Sequence, residues 1–75
     1  MTFTAQVSTA LLTEDEAMAV RSAAGLHRGV TTLAEAADEL RAWFPNWFVY
    51  EGGHHVAMHL RQGDPVCILQ IDGHE

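Results

Sequence analysis

The sequence predicts an α+β fold of order β-α-α-β-β-β, with two capped helices packed on one face of a three- or four-stranded antiparallel meander. Three features predict it: a polar–apolar alternation near the N-terminus, two threonine-led helix starts, and a second half whose alternating segments are separated by two glycine-containing turns. We expect one domain over residues 1–75, because a chain of 75 residues can build only one small core.

The first element is a strand over Thr2 to Ser8. Phe3, Ala5 and Val7 alternate there with polar residues, which is typical of a strand with one buried face. The sequence leaves open whether this strand adds a fourth member to the sheet or swaps onto a neighbouring molecule.

Two helices follow, and each begins at a capping box. Thr13 and Glu16 mark the first start, and Thr32 and Glu35 mark the second, because the threonine and the glutamate can satisfy each other's backbone N–H groups. Gly25 is expected to end the first helix as its C′ residue.

The second helix carries the stronger pattern and should end near Trp43, because Pro45 disfavours the helical conformation of the residue before it. Its apolar residues recur at the spacing of one buried stripe. They are Leu33, Ala36, Ala37, Leu40, Trp43 and Phe44.

The second half reads as a meander with two hairpins. A type I′ turn at Gly52–Gly53 would set Val49 opposite Val56, and a second turn centred on Gly63–Asp64 would set Leu60 opposite Cys67. The two registers agree on one apolar face for the helices to cover. Its members are Trp47, Val49, Val56, Met58, Leu60, Cys67, Leu69 and Ile71.

The opposite face of the meander is the candidate functional surface. The registers predict three rows across it: Tyr50-His55-Asp72, Phe48-Ala57-Gln70 and Asn46-His59-Ile68. Half of it is apolar although no helix is left to cover it, and an exposed apolar patch with a polar rim is typical of a partner site. The candidate partner-binding residues are Phe48, Tyr50, His55, His59, Arg61, Val66 and Ile68.

The amino-acid composition narrows the classes of function that the protein could have. Ten acidic residues stand against four basic ones, all arginine, so the formal charge of −6 disfavours nucleic-acid binding and adhesion to anionic membranes. The single cysteine allows neither an intrachain disulfide nor a thiolate zinc site. Neither a 20-residue apolar run nor a signal-peptide pattern occurs, so we expect a cytoplasmic protein without a membrane partner.

Few residues are candidates for catalysis or metal binding. On a strand, His55 and His59 lie roughly 13 Å apart, too far to share a zinc ion. Tyr50, His55 and Asp72 could form a general-base row, but no nucleophile lies beside it, since Cys67 is expected in the core. We therefore expect no cofactor, no metal and no catalytic residues, and predict an accessory or inhibitor-like interaction module that binds a protein partner and forms a homodimer.

The element order resembles that of the small ribosome-dependent ribonuclease toxins of the RelE and ParE kind, although the likeness is of order alone. It implies an alternative function, RNA cleavage or a related hydrolysis. Tyr50, His55, His59 and Arg61 would then be the candidate residues.

Overall fold

The computed structural model describes residues 2–8 and 10–74, with the side chains of residues 2, 27 and 74 left out. The elements are β1 (Thr2–Val7), α1 (Glu14–Ala24), a 3-10 turn (Leu26–Gly29), α2 (Leu33–Trp43), β2 (Phe48–Glu51), β3 (His55–His59) and β4 (Cys67–His74). The predicted fold class is confirmed: two helices pack on an antiparallel sheet.

The sheet has four strands in the order β1-β4-β3-β2. The N-terminal strand pairs with β4 of the same chain, with Ala5 opposite Ile71 and Val7 opposite Leu69. The apolar side of β1 faces the core as predicted, because Phe3, Ala5 and Val7 are half-buried and pack against the core. β1 and β2 are therefore the two edge strands.

The helix starts agree with the predicted caps. At α1 the Thr13 hydroxyl accepts from the Glu16 N–H at 3.2 Å, and the Glu16 carboxylate accepts from the Thr13 N–H at 3.0 Å. At α2 the Thr32 hydroxyl accepts from the Glu35 N–H, but the Glu35 carboxylate turns to the N–H and hydroxyl of Thr31. Only the first box is therefore complete.

The helix ends lie where the sequence places them, with two differences of detail. α1 ends at Ala24, but Gly25 has φ −85°, so it caps the helix without the left-handed conformation of a C′ glycine. α2 ends at Trp43, whose side chain is 50% exposed although the stripe predicted it buried. Phe44, the last residue of the predicted stripe, is buried as expected and stacks on Trp47 with ring centroids 4.9 Å apart.

The predicted register of the first hairpin is wrong by two residues. Val49 lies opposite Met58 rather than Val56, and the Gly52 N–H donates to the His55 carbonyl at 2.7 Å, so the loop is Gly53–His54. Neither Gly52 nor Gly53 has a positive φ, which excludes the type I′ turn.

Close packing, rather than a left-handed backbone, explains why a glycine occupies position 52. A Cβ on Gly52 would lie 3.0 Å from Cε1 of the His55 ring, so the imidazole packs where a side chain would stand. The two-residue shift leaves every side chain on its predicted face, because faces alternate with a period of two.

The second hairpin follows the predicted register up to a bulge. Val56 lies opposite Ile71 and Met58 opposite Leu69, as predicted. The register then shifts, and His59 pairs with Cys67, which leaves Ile68 without a partner on β3. The predicted pairing of Leu60 with Cys67 is therefore wrong.

The core lies between the helices and one face of the sheet. α1 packs on β1 and β4, and α2 packs on β2 and β3. Among residues 2–8 and 10–74, no helix has the length and apolar character needed to cross a membrane. The largest fully buried side chains are Val20, Leu40, Val56, Met58, Ile68, Leu69 and Ile71.

Candidate functional site

The second face of the sheet, which we call the open face, carries neither α1 nor α2. Strand alternation and the observed pairing assign its members, since side chains of directly paired residues point to the same side. The open face consists of Thr4, Gln6, Phe48, Tyr50, His55, Ala57, His59, Cys67, Gln70 and Asp72.

Three rings form the centre of the open face. Phe48 pairs with His59 across β2 and β3, and the Tyr50 ring meets the His59 ring edge to face at a centroid distance of 5.4 Å. Phe48 and Tyr50 are each 40% exposed, whereas Ala57 beside them is 8% exposed. Exposed aromatic rings beside a small buried residue form an apolar surface that a partner's side chains can contact.

Two hydrogen bonds tie the β3–β4 loop, residues 60–66, to this centre. His59 Nδ1 lies 3.0 Å from the Val66 carbonyl oxygen, and the Gly63 N–H donates to the Tyr50 hydroxyl at 3.4 Å. Because a carbonyl only accepts, Nδ1 carries the proton and a neutral His59 presents Nε2 as an acceptor.

The same loop places two further predicted residues at the margin of the open face. Val66 is 36% exposed, and its N–H donates to Oδ1 of Asp64 at 2.9 Å. The Arg61 guanidinium lies 3.8 Å from Oδ2 of Asp64, and its side chain is 85% exposed. The Asp64 side chain is only 7% exposed, but the contact is long and Arg61 is solvated, so the guanidinium can turn to a partner group.

His55 occupies a different position from the one predicted. It lies opposite Asp72 as expected, but Tyr50 lies opposite Ala57, because the β2–β3 register is shifted. The predicted Tyr50-His55-Asp72 row therefore does not form. Asp72 instead accepts from the Gln70 side-chain amide at 3.0 Å.

Two residues lie on the side opposite to their prediction because of the bulge. Ile68 was expected on the open face, but it is fully buried and belongs to the core cluster. Without a partner on β3 it is free of the strict alternation and turns into the core with its neighbour Leu69. Cys67 was expected in the core, but it pairs with His59 on the open face.

Cys67 also lines a cleft of about 190 Å³ between β1 and β4. Its thiol donates to the Leu69 carbonyl at 3.1 Å. His59 lies opposite Cys67 on the open face, but its Nδ1 contacts the Val66 carbonyl, and no hydrogen bond joins the two side chains within the described residues. The thiol is therefore bonded to a carbonyl rather than to a base that would activate it. The other residues of the cleft are Gln6, Val7, Ser8 and Gln70.

The described part of the chain contains no group of three histidine, cysteine or carboxylate side chains that could hold a metal ion. Comparison with protein-family models, curated proteins and solved structures finds no significant match. The functional argument therefore rests on the residues of the open face themselves.

The sequence identified most of this surface, including Gln70 and Asp72 on β4, but missed its β1 members and Cys67. Thr4, Gln6 and Cys67 join the open face only once β1 pairs with β4 and the bulge reverses the end of β4. The alternation in Thr2 to Ser8 already placed Thr4 and Gln6 opposite the apolar side, but it did not predict which strand β1 pairs with. For Cys67 the local sequence offers no signal.

Proposed function

We propose that this protein is a non-catalytic interaction module that binds a protein partner through its open face. The observation that carries the proposal is the pair of half-exposed rings, Phe48 and Tyr50, on a sheet face that neither α1 nor α2 covers. Aromatic side chains at the centre of a surface patch supply much of the binding energy in protein interfaces.

The surroundings of the rings suit recognition better than catalysis. Tyr50 and His59 contact each other and the 60–66 loop, so the aromatic surface is ordered before a partner arrives. Preformed geometry lowers the ordering cost of binding. Arg61 at the margin can pair with a carboxylate of the partner.

Photocrosslinking in the native host identifies the partner, with a crosslinkable phenylalanine analogue at Phe48 and a control analogue at Met18. Met18 is 61% exposed and lies on α1, in the helical layer. We expect one protein to crosslink through position 48 and not through position 18. Equal capture at both positions, or capture at 18 alone, contradicts the proposal.

The purified partner then allows a direct comparison of Phe48→Asp with Met18→Asp, which each replace an exposed apolar side chain by a carboxylate. Phe48→Asp should weaken binding at least about tenfold, as expected for a central aromatic residue. Met18→Asp should leave the affinity unchanged. Unaltered binding of a folded Phe48→Asp protein counts against the open face.

The ribonuclease alternative requires Tyr50, His55, His59 and Arg61 to act together. The structure brings Tyr50 and His59 into contact, whereas His55 lies over Gly52 at the other end of β3 and Arg61 is paired with Asp64. Cleavage of single-stranded RNA by wild-type protein, lost in His59→Ala, would favour this alternative over the interaction module.

A further inference from the structure

The outer edge of β1 presents backbone groups at every second residue. The Ser8 N–H donates to the Ile68 carbonyl at 2.8 Å, which fixes the hydrogen-bonding phase of the β1–β4 ladder. Even-numbered residues therefore bond to β4, and Ala5 and Val7 direct their N–H and C=O groups outward. Within the described residues, no hydrogen-bond partner reaches the outward groups of Ala5 and Val7.

This edge lacks the devices that usually prevent strand pairing. Residues 2–12 contain no charged side chain, no proline and no glycine, and β1 pairs with β4 without a bulge over Thr2–Val7. The other edge is protected, because Arg41 Nη2 donates to the Val49 carbonyl at 3.4 Å and Glu51 adds a negative charge.

We propose that a second copy of this chain pairs with β1 along this edge, in antiparallel register about a two-fold axis at Gln6. Ala5 then exchanges two hydrogen bonds with Val7 of the second copy, and the symmetric pair makes two more. The two four-stranded sheets become one sheet of eight strands.

Backbone complementarity, rather than net charge, selects the second copy as the occupant. Each chain carries a formal charge of −6, so two copies repel wherever acidic residues face each other. Residues 2–12 carry none of those acids, and the outward groups of an antiparallel strand are complementary to those of an identical strand. A two-fold axis perpendicular to the sheet keeps both open faces on one side, so the dimer offers two partner sites.

The first test is sedimentation equilibrium of the full chain over a concentration series, comparing Ala5→Pro with Ala5→Val. Wild type and Ala5→Val should form a species of twice the 8.2 kDa chain mass. Proline removes an outward donor from each copy and leaves the β1–β4 bonds in place, so dissociation should rise at least about tenfold. A monomeric wild type, or a dimer unaffected by Ala5→Pro, overturns the proposal.

Charge pairing at the axis gives a second test that does not depend on proline. Gln6 is exposed and would face Gln6 of the second copy, so Gln6→Glu and Gln6→Lys should each be monomeric. Mixing the two variants should restore a heterodimer. Failure of the mixture to associate contradicts the two-fold axis at Gln6.

Hydrogen exchange of the wild type gives a third, substitution-free measurement. The Ala5 and Val7 amides should become protected as concentration rises, whereas the Gln6 amide, bonded within the chain, should be protected throughout. Phe48→Asp should leave this protection unchanged. The experiment can therefore distinguish an error in the proposed β1-edge dimer from an error in the proposed binding of a partner to the open face. Loss of the dimer in Phe48→Asp but not in Ala5→Pro would assign self-association to the open face.

Discussion

His59 Nδ1 lies 3.0 Å from the carbonyl oxygen of Val66, and this contact joins the centre of the open face to the β3–β4 loop. The carbonyl fixes the protonated nitrogen and the orientation of the ring. The ring in turn supports Tyr50, whose hydroxyl accepts from Gly63 in the same loop. The loop and the aromatic centre therefore form one unit.

The first prediction concerns the donor in this contact. His59→Asn places an amide N–H near the position of Nδ1 and should keep residues 60–66 ordered, whereas His59→Ala removes the donor and should loosen them. Amide hydrogen exchange of the loop measures the difference. In wild type, ¹⁵N chemical shifts should show neutral His59 protonated at Nδ1. The Nε2-protonated tautomer, or equal exchange in both variants, contradicts the assignment.

The second prediction separates Ile68 from Phe48. Ile68 is fully buried, so Ile68→Ala should lower the free energy of unfolding by about 2–4 kcal/mol, and Ile68→Asp should prevent folding. Phe48 is 40% exposed, so Phe48→Ala should cost less than about 1 kcal/mol. Urea denaturation followed by circular dichroism gives both values. Equal costs would mean that Ile68 does not turn into the core at the bulge.

The element order and the division of the sheet into two faces could be predicted from the sequence. Hydrophobic alternation determines faces, and the register error of two residues in the first hairpin changed no face. The cross-strand partners of Tyr50 could not be predicted, because Gly52–Gly53 and Gly53–His54 are both plausible two-residue loops. The observed loop is Gly53–His54, and in it the His55 ring packs against Gly52.

The bulge is the feature that local sequence could not predict. Strict alternation through Cys67, Ile68 and Leu69 gives a consistent but incorrect pattern, because Ile68 is apolar and Cys67 suits either side. Only the packing of β3 and β4 under the helices shows that both Ile68 and Leu69 turn inward. The candidate site consequently lost Ile68 and gained Cys67.

The third prediction concerns acid stability. Hydrogen bonds from the N–H and then the hydroxyl of Thr13 lower the pKa of Glu16 from its usual 4.5, and those of Thr31 do the same for Glu35. A pKa depressed in the folded state adds stability above the unfolded pKa, and that stability is lost as pH falls through the folded pKa.

Glu16→Gln and Glu35→Gln should therefore lose stability at neutral pH and show a flatter decline on acidification than wild type. Glu39→Gln is the matched control, since Glu39 is exposed on α2 and forms no hydrogen bond with a described residue. Thermal melts from about pH 7 to about pH 3 measure the slopes. A Glu39→Gln profile as flat as that of Glu16→Gln would remove the capping explanation.

The fourth prediction distinguishes two turn glycines. Gly63 has φ +76°, a conformation that places a Cβ too close to the following carbonyl oxygen, so Gly63→Ala should cost about 1 kcal/mol. Gly53 has no positive φ, and no atom lies within 4 Å of a Cβ built on it.

Gly53→Ala should therefore range from neutral to a gain of about 0.5 kcal/mol, because alanine restricts the unfolded chain. Urea denaturation of the two variants side by side makes the comparison. The type I′ turn predicted at Gly52–Gly53 requires a positive φ at Gly53, so Gly53→Ala would then cost about as much as Gly63→Ala. Equal costs would restore the rejected hairpin register and return Tyr50 to a position opposite His55.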